Sequence, residues 1–236
     1  MLVAWASFGL GGSAAPHGSA TASSQGAQPP HATLTASSLV SCLARERNGV
    51  EGTPQRALLA ILGVLRRPAT PADTLPRDTL LGSAAYLRYI RRARIVDGVS
   101  YYIYPVVALG CGQTGAYDAL ALLGVPRGTA VGAGCMDVTV TQVERGGAVC
   151  AGTPFVTTPR RSSGPTLMMV VPDGVASVTL HYAARPSLYF RGVTVVTRPV
   201  NNLIVFGPPH ARISPFPTLI KWLAPDGHVL KTIQRP

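Results

Sequence analysis

The sequence predicts a mainly β protein, an immunoglobulin-like β-sandwich preceded by one or two short α-helices. Three observations predict it. Short β-branched and aromatic runs recur roughly every 8–14 residues. They are separated by turns drawn from 25 Gly and 21 Pro. Charged residues make up 13% of the chain against 47% hydrophobic residues, a balance that suits strands and tight turns rather than long surface helices.

At 236 residues the chain is long enough for a substantial core. It divides by composition into a signal-like segment and linker over 1–30, a helical segment over 31–91 and a β-sandwich domain over 92–236. Leu2–Leu10 is a short apolar run followed by small residues and Ala20-Thr21-Ala22, the pattern of a secretory signal. No Lys or Arg precedes Arg45, so the basic n-region of such a signal is missing, and the expectation is either a misassigned start or a truncated signal. Ser13–Pro30 is Ala, Ser, Gly, Gln and Pro without periodicity, and reads as a linker.

One amphipathic helix is expected over Thr53–Arg67. Thr53 is its candidate N-cap, Pro54 suits the first helical position, and Leu58, Ile61, Leu62 and Leu65 share a face. A second helix is expected from Asp78 to about Tyr89 through Leu80, Ala84 and Leu87, and a helical turn over Ala116–Leu123.

Then the period becomes two. Asp97-Gly98 between Arg92–Val96 and Val99–Val107 is a two-residue hairpin signal, which sets Val96 opposite Val99 and Arg94 opposite Tyr101. Regular alternation would place Arg92, Arg94 and Tyr101 on one face. Further strands are expected at Met136–Val143, Thr166–Val171, Val175–Tyr182, Gly192–Val200, Leu203–Phe206, Thr218–Leu223 and His228–Ile233. Pro172-Asp173-Gly174 and Pro225-Asp226-Gly227 read as hairpin turns, and Asn201-Asn202 as a pair that tolerates left-handed backbone.

The block Val171-Pro-Asp-Gly-Val-Ala-Ser-Val-Thr-Leu, then Val193-Thr-Val-Val-Thr-Arg-Pro-Val-Asn-Asn, then Thr218-Leu-Ile-Lys-Trp-Leu-Ala-Pro-Asp-Gly-His-Val, resembles exported β-domain proteins of high-GC Gram-positive bacteria. So does Leu65-Arg-Arg-Pro-Ala-Thr-Pro-Ala-Asp upstream. The resemblance implies an exported β domain and carries no activity with it.

Chemistry is sparse. Four cysteines, Cys42, Cys111, Cys135 and Cys150, are disulfide candidates in an exported chain. Their pairing is open, and one bridge is expected between two of the last three. None forms a Cys-x-x-Cys pair, which disfavours zinc and thioredoxin-like chemistry. Cys111 in Gly110-Cys111-Gly112-Gln113 is the one candidate nucleophile, with His181 or His210 as partner, and would make the chain an exported thiol hydrolase. His181 falls on the polar face of its strand, and no Gly-x-Ser-x-Gly elbow is present. The remaining histidines, His17, His31 and His228, are scattered, and the ten carboxylates do not cluster, so no metal, catalytic set or cofactor is implied.

The formal charge is +11, and 19 of the 21 basic residues are Arg. Arg88, Arg91, Arg92 and Arg94, with Tyr101, form a candidate patch for anionic surfaces. No nucleic-acid signature accompanies it. The expectation is therefore a non-enzymatic structural or interaction module, secreted or associated with the cell envelope. Its partner is expected to be an acidic envelope polymer, a membrane surface or another envelope protein.

Overall fold

Both central residues of the Asp97-Gly98 turn have positive φ, 48° and 78°, the conformation that matches the twist of a two-residue hairpin. That hairpin organises the first of three antiparallel sheets among the described residues. The structure is a computed structural model that describes residues 49–76, 79, 84–108, 117–129, 132–146, 149–152, 166–207 and 216–234, all within the larger of two units, Thr33–Pro236. The signal-like segment, the linker, Cys42, Cys111 and His210 lie outside the described residues.

The strands of the first sheet are β1 (Ala84–Ala85), β2 (Arg91–Val96), β3 (Val99–Ala108), β4 (Tyr117–Pro126) and β5 (Ala133–Val138). β3 pairs with β1 and β2 along one edge and with β4 along the other, and β5 pairs with β4. Pro105 lies mid-strand, where a missing N–H normally disrupts a ladder. Here its carbonyl accepts from Tyr86 N–H at 3.0 Å, in the gap between β1 and β2. Its missing donor therefore falls where the neighbouring strand is interrupted.

Two further sheets follow: β6 (Val149–Gly152), β7 (Thr166–Val170) and β10 (Leu203–Phe206) in the order β10-β7-β6; then β8 (Ser177–Tyr182), β9 (Val193–Thr197), β11 (Leu219–Leu223) and β12 (Val229–Gln234) in the order β12-β11-β8-β9. The second sheet is buried on both faces. Met168, Val170 and Leu203 pack with Ile103, Leu120 and Leu122 of the first sheet, while Leu167, Met169 and Ile204 pack with Val178, Leu180, Ile220 and Trp222 of the third. The mainly β, sandwich-like expectation holds, with three sheets stacked. Cys135 on β5 and Cys150 on β6 form a disulfide between the first and second sheets.

Four expectations are corrected. The Thr53–Arg67 helix is two short ones, α1 (Arg56–Ile61) and α2 (Gly63–Arg66), with Leu62 extended between them. Tertiary groups make the break: Asp173 N–H donates to the Ile61 carbonyl (2.9 Å), Asp173 Oδ1 accepts from Gly63 N–H (2.8 Å), and Asn202 Oδ1 accepts from Val64 N–H (2.9 Å). The apolar face survives, with Leu58, Leu62 and Leu65 each at most 1% exposed.

Within the second expected helix, 84–85 is β1 and Leu87–Tyr89 a single 3₁₀ turn. Of the helical turn expected at 116–123, the described residues 117–123 belong to β4, a central strand whose Leu120 and Leu122 face the second sheet while Ala119 and Ala121 face the other way. An Ala/Leu run has helical propensity, but burial on both faces decides for the strand.

Met136–Val143 divides into the end of β5 and a helix, α3 (Val140–Arg145). Thr139 and Gln142 form a reciprocal capping box there, and Gly146 ends the helix at φ 76°. Lys231 of β12 ties the third sheet to this helix, donating to the Glu144 carbonyl and lying 5.8 Å from the Trp222 ring centroid.

Candidate functional site

β2 carries one residue more than β3 can match. Arg94 stands opposite Tyr101 and Arg92 opposite Tyr102, so Ala93 is a β-bulge. The bulge reverses the faces expected from alternation: Arg92, opposite Tyr102, joins Ile95 on the face turned away from the second sheet, while Arg94 remains opposite Tyr101 on the face toward it.

On that face Ile95, Ser100 and Val125 align across three strands, since Ile95 pairs with Ser100 and Ser100 with Val125. Beyond them β4 ends in a turn. Arg127 N–H donates to the Gly98 carbonyl at 2.9 Å, the Thr129 N–H and hydroxyl both donate to the Pro126 carbonyl, and Gly128 takes φ 80°. These residues enclose an open cleft of about 680 Å³ with Pro76 and Arg92 on its wall. Its floor is apolar, Arg92, Arg127, Ser100 and Thr129 line it, and among the described residues that line it there is no Asp or Glu.

The wall is held from behind. Asp73 is buried, and its carboxylate receives both terminal nitrogens of Arg67 (2.6 and 2.8 Å), the N–H and hydroxyl of Thr70 (2.7 and 3.0 Å) and the N–H of Arg92 (2.7 Å). Burial opposes ionisation of this group. The hydrogen bonds from Arg67, Thr70 and Arg92 outweigh burial and hold its carboxyl well below the usual carboxylate range. The Arg-Arg-Pro element therefore has a structural reading: Arg67 clamps Asp73, and Arg66 reaches Asp173 at 2.6 Å.

The patch residues do not form one face. Arg88 is exposed and Arg92 lines the cleft. Arg91 is buried, donating to the carbonyls of Arg67, Arg88 and Ile90, and burial pushes its pKa down. The Nε and Nη1 of Arg94 are buried without hydrogen-bond partners. Tyr101 is core, only 6% exposed, and its phenol pKa is raised chiefly by burial.

Composition pointed to Arg92 but not to Ser100, Arg127 or Thr129. Pro126-Arg127-Gly128 signals a turn, but nothing local shows that it closes against the Asp97-Gly98 turn between β2 and β3.

The candidate nucleophile Cys111 and its candidate partner His210 lie outside the described residues. His181 is exposed on the third sheet with Nδ1 3.0 Å from the Thr194 hydroxyl, and His228 lies at the far end of that sheet, 2.6 Å from Asp226. Comparison of the chain with models of known protein families, with curated proteins and with solved structures finds no match.

Proposed function

We propose that this chain is an exported interaction module of the cell envelope that engages a linear anionic polymer through the cleft between Arg92 and Arg127. The observation that carries the reading is the cleft itself, lined by two arginines over an apolar floor with no carboxylate among its described lining residues. The net charge of +11 extends the attraction beyond the cleft. Arg92 sits opposite Tyr102 and Arg127 beside Gly98 across β3, which puts their Cα atoms roughly 15 Å apart from strand spacings. That span suits successive charges on a chain better than a single small anion.

Export is part of the proposal. It draws on the signal-like segment, on the resemblance to exported β-domain proteins, and on the Cys135–Cys150 disulfide, which is compatible with an extracytoplasmic location. Among the described residues no helix is long and apolar enough to cross a membrane. Stacked antiparallel sheets with an inter-sheet disulfide are also features of immunoglobulin-like modules, whose loops and faces serve binding.

Titration calorimetry with polyphosphate and poly-L-glutamate tests the reading, with inorganic phosphate and phosphatidylglycerol vesicles as the other arms. The expected result is polymer binding that weakens five- to tenfold, as an order of magnitude, in Arg92→Ala/Arg127→Ala and falls with salt. Binding to vesicles alone would make the chain a membrane-surface module and overturn the polymer assignment.

A further inference from the structure

A bulge releases backbone groups from the ladder, and each must find another partner. At Ala93 the partners are side chains from distant parts of the chain. The Arg92 N–H donates to Asp73 Oδ1 at 2.7 Å, the Arg92 carbonyl accepts from Arg67 Nη2 at 3.3 Å, and the Ala93 carbonyl accepts from Asn201 Nδ2 at 2.8 Å. Asn201 lies in the left-handed turn that leads into β10 of the second sheet, with φ 50°. It therefore reaches across from another sheet to hold the extra residue.

Without the bulge, strict alternation returns Arg92 to the face of Arg94 and Tyr101, away from Ile95, Ser100 and Val125. The bulge thus decides whether the cleft has one guanidinium or two. Asp73 and Arg67 fix the residue before the extra one, but both also carry the α2–β2 junction, so their loss would damage more than the cleft. Asn201 touches the bulge through one amide hydrogen bond to a carbonyl 108 residues away. We propose that Asn201 is a positioning residue of the anion cleft, holding the bulge at Ala93 so that Arg92 stays on the cleft face. The assignment rests on the cleft reading above.

Asn201→Gly is the informative variant, because glycine accepts the left-handed backbone and keeps the turn while removing only the amide. In the full chain, Asn201→Gly is expected to remain folded and to bind polyphosphate about threefold more weakly, with the slope of log affinity against log salt reduced by about one charge. A loss of folded protein alone would lower the number of sites and leave that slope unchanged. The same substitution in an Arg92→Ala background should cost nothing further. An equal loss in both backgrounds shows that the effect does not run through Arg92 and overturns the proposal. The Arg92–Tyr102 pairing followed by NMR separates this inference from the cleft reading. If the parent chain binds no polyphosphate the cleft reading fails, yet the positioning role stands if Asn201→Gly loses that pairing and falls if the pairing is retained.

Discussion

Pro172-Asp173-Gly174 and Pro225-Asp226-Gly227 have the same three residues, and their glycines take nearly the same backbone, φ 87° and 86°. They do opposite work. The second closes a hairpin between paired strands β11 and β12, and Asp226 Oδ1 accepts locally, from the His228 N–H at 3.1 Å and the His228 ring at 2.6 Å. The first is not a hairpin turn, because β7 and β8 belong to different sheets. Asp173 receives Gly63 N–H, the Asn202 amide and the Arg66 guanidinium, and so splits α1 from α2 and locks both to the turn. Local sequence sets the turn; what the aspartate does is set by what the fold brings beside it.

Asp73 extends the contrast into a series, with side-chain exposures of 4%, 39% and 72% for Asp73, Asp173 and Asp226. If tertiary partners and burial decide, the cost of removal should fall in that order. Asp73→Ala leaves Arg67 and the Arg92 N–H without their acceptor, and we expect a loss of about 3 kcal/mol in urea denaturation. The group also predicts an acid limb. Its folded pKa lies below the unfolded value, so its stabilisation is complete above about pH 4 and is lost as pH falls through the folded value. The slope should approach about 1.4 kcal/mol per pH unit at most, and Asp73→Asn should flatten it.

Asp173→Ala should cost less, about 1–2 kcal/mol, because its partners keep access to water and the Arg66 pair is half exposed. Its carboxyl is also held low: burial opposes this, and the Asn202, Gly63 and Arg66 hydrogen bonds prevail. Denaturation of Asp173→Ala and Arg66→Ala, singly and together, checks the pair, and a coupling near zero would remove Arg66 from the account.

The same contrast explains what the sequence disclosed. Strands β2, β3, β7, β8, β9, β10, β11 and β12 were legible because their β-branched, aromatic or apolar runs and the turns that bound them are local, as were the left-handed asparagines, with φ 50° and 64°. α3 was legible in principle, since Thr139-Val-Thr-Gln142 is a capping box, but the Val-Thr alternation spoke for a strand. The break at Leu62, the course of β4 and the bulge at Ala93 were not, because Asp173, Asn202, the flanking strands and Asn201 impose them from far along the chain. Of the cleft, Arg92 alone was named, and on the wrong face. A bulge leaves no mark on composition, and one inserted residue inverts every face beyond it.

The smallest effect belongs to Asp226. Its carboxyl is held below the ordinary value by the His228 backbone and ring hydrogen bonds, so NMR titration should find it low, as it should Asp173. Yet Asp226→Ala should leave the urea midpoint where it was, because Pro225 and Gly227 still define the turn and the lost contacts are replaced by water. A depressed pKa then marks a local hydrogen bond in one turn and a tertiary joint in the other. A midpoint shift in Asp226→Ala equal to that of Asp173→Ala would mean that capping the turn, and not reaching α2, is what the aspartate contributes in both, and the comparison would collapse.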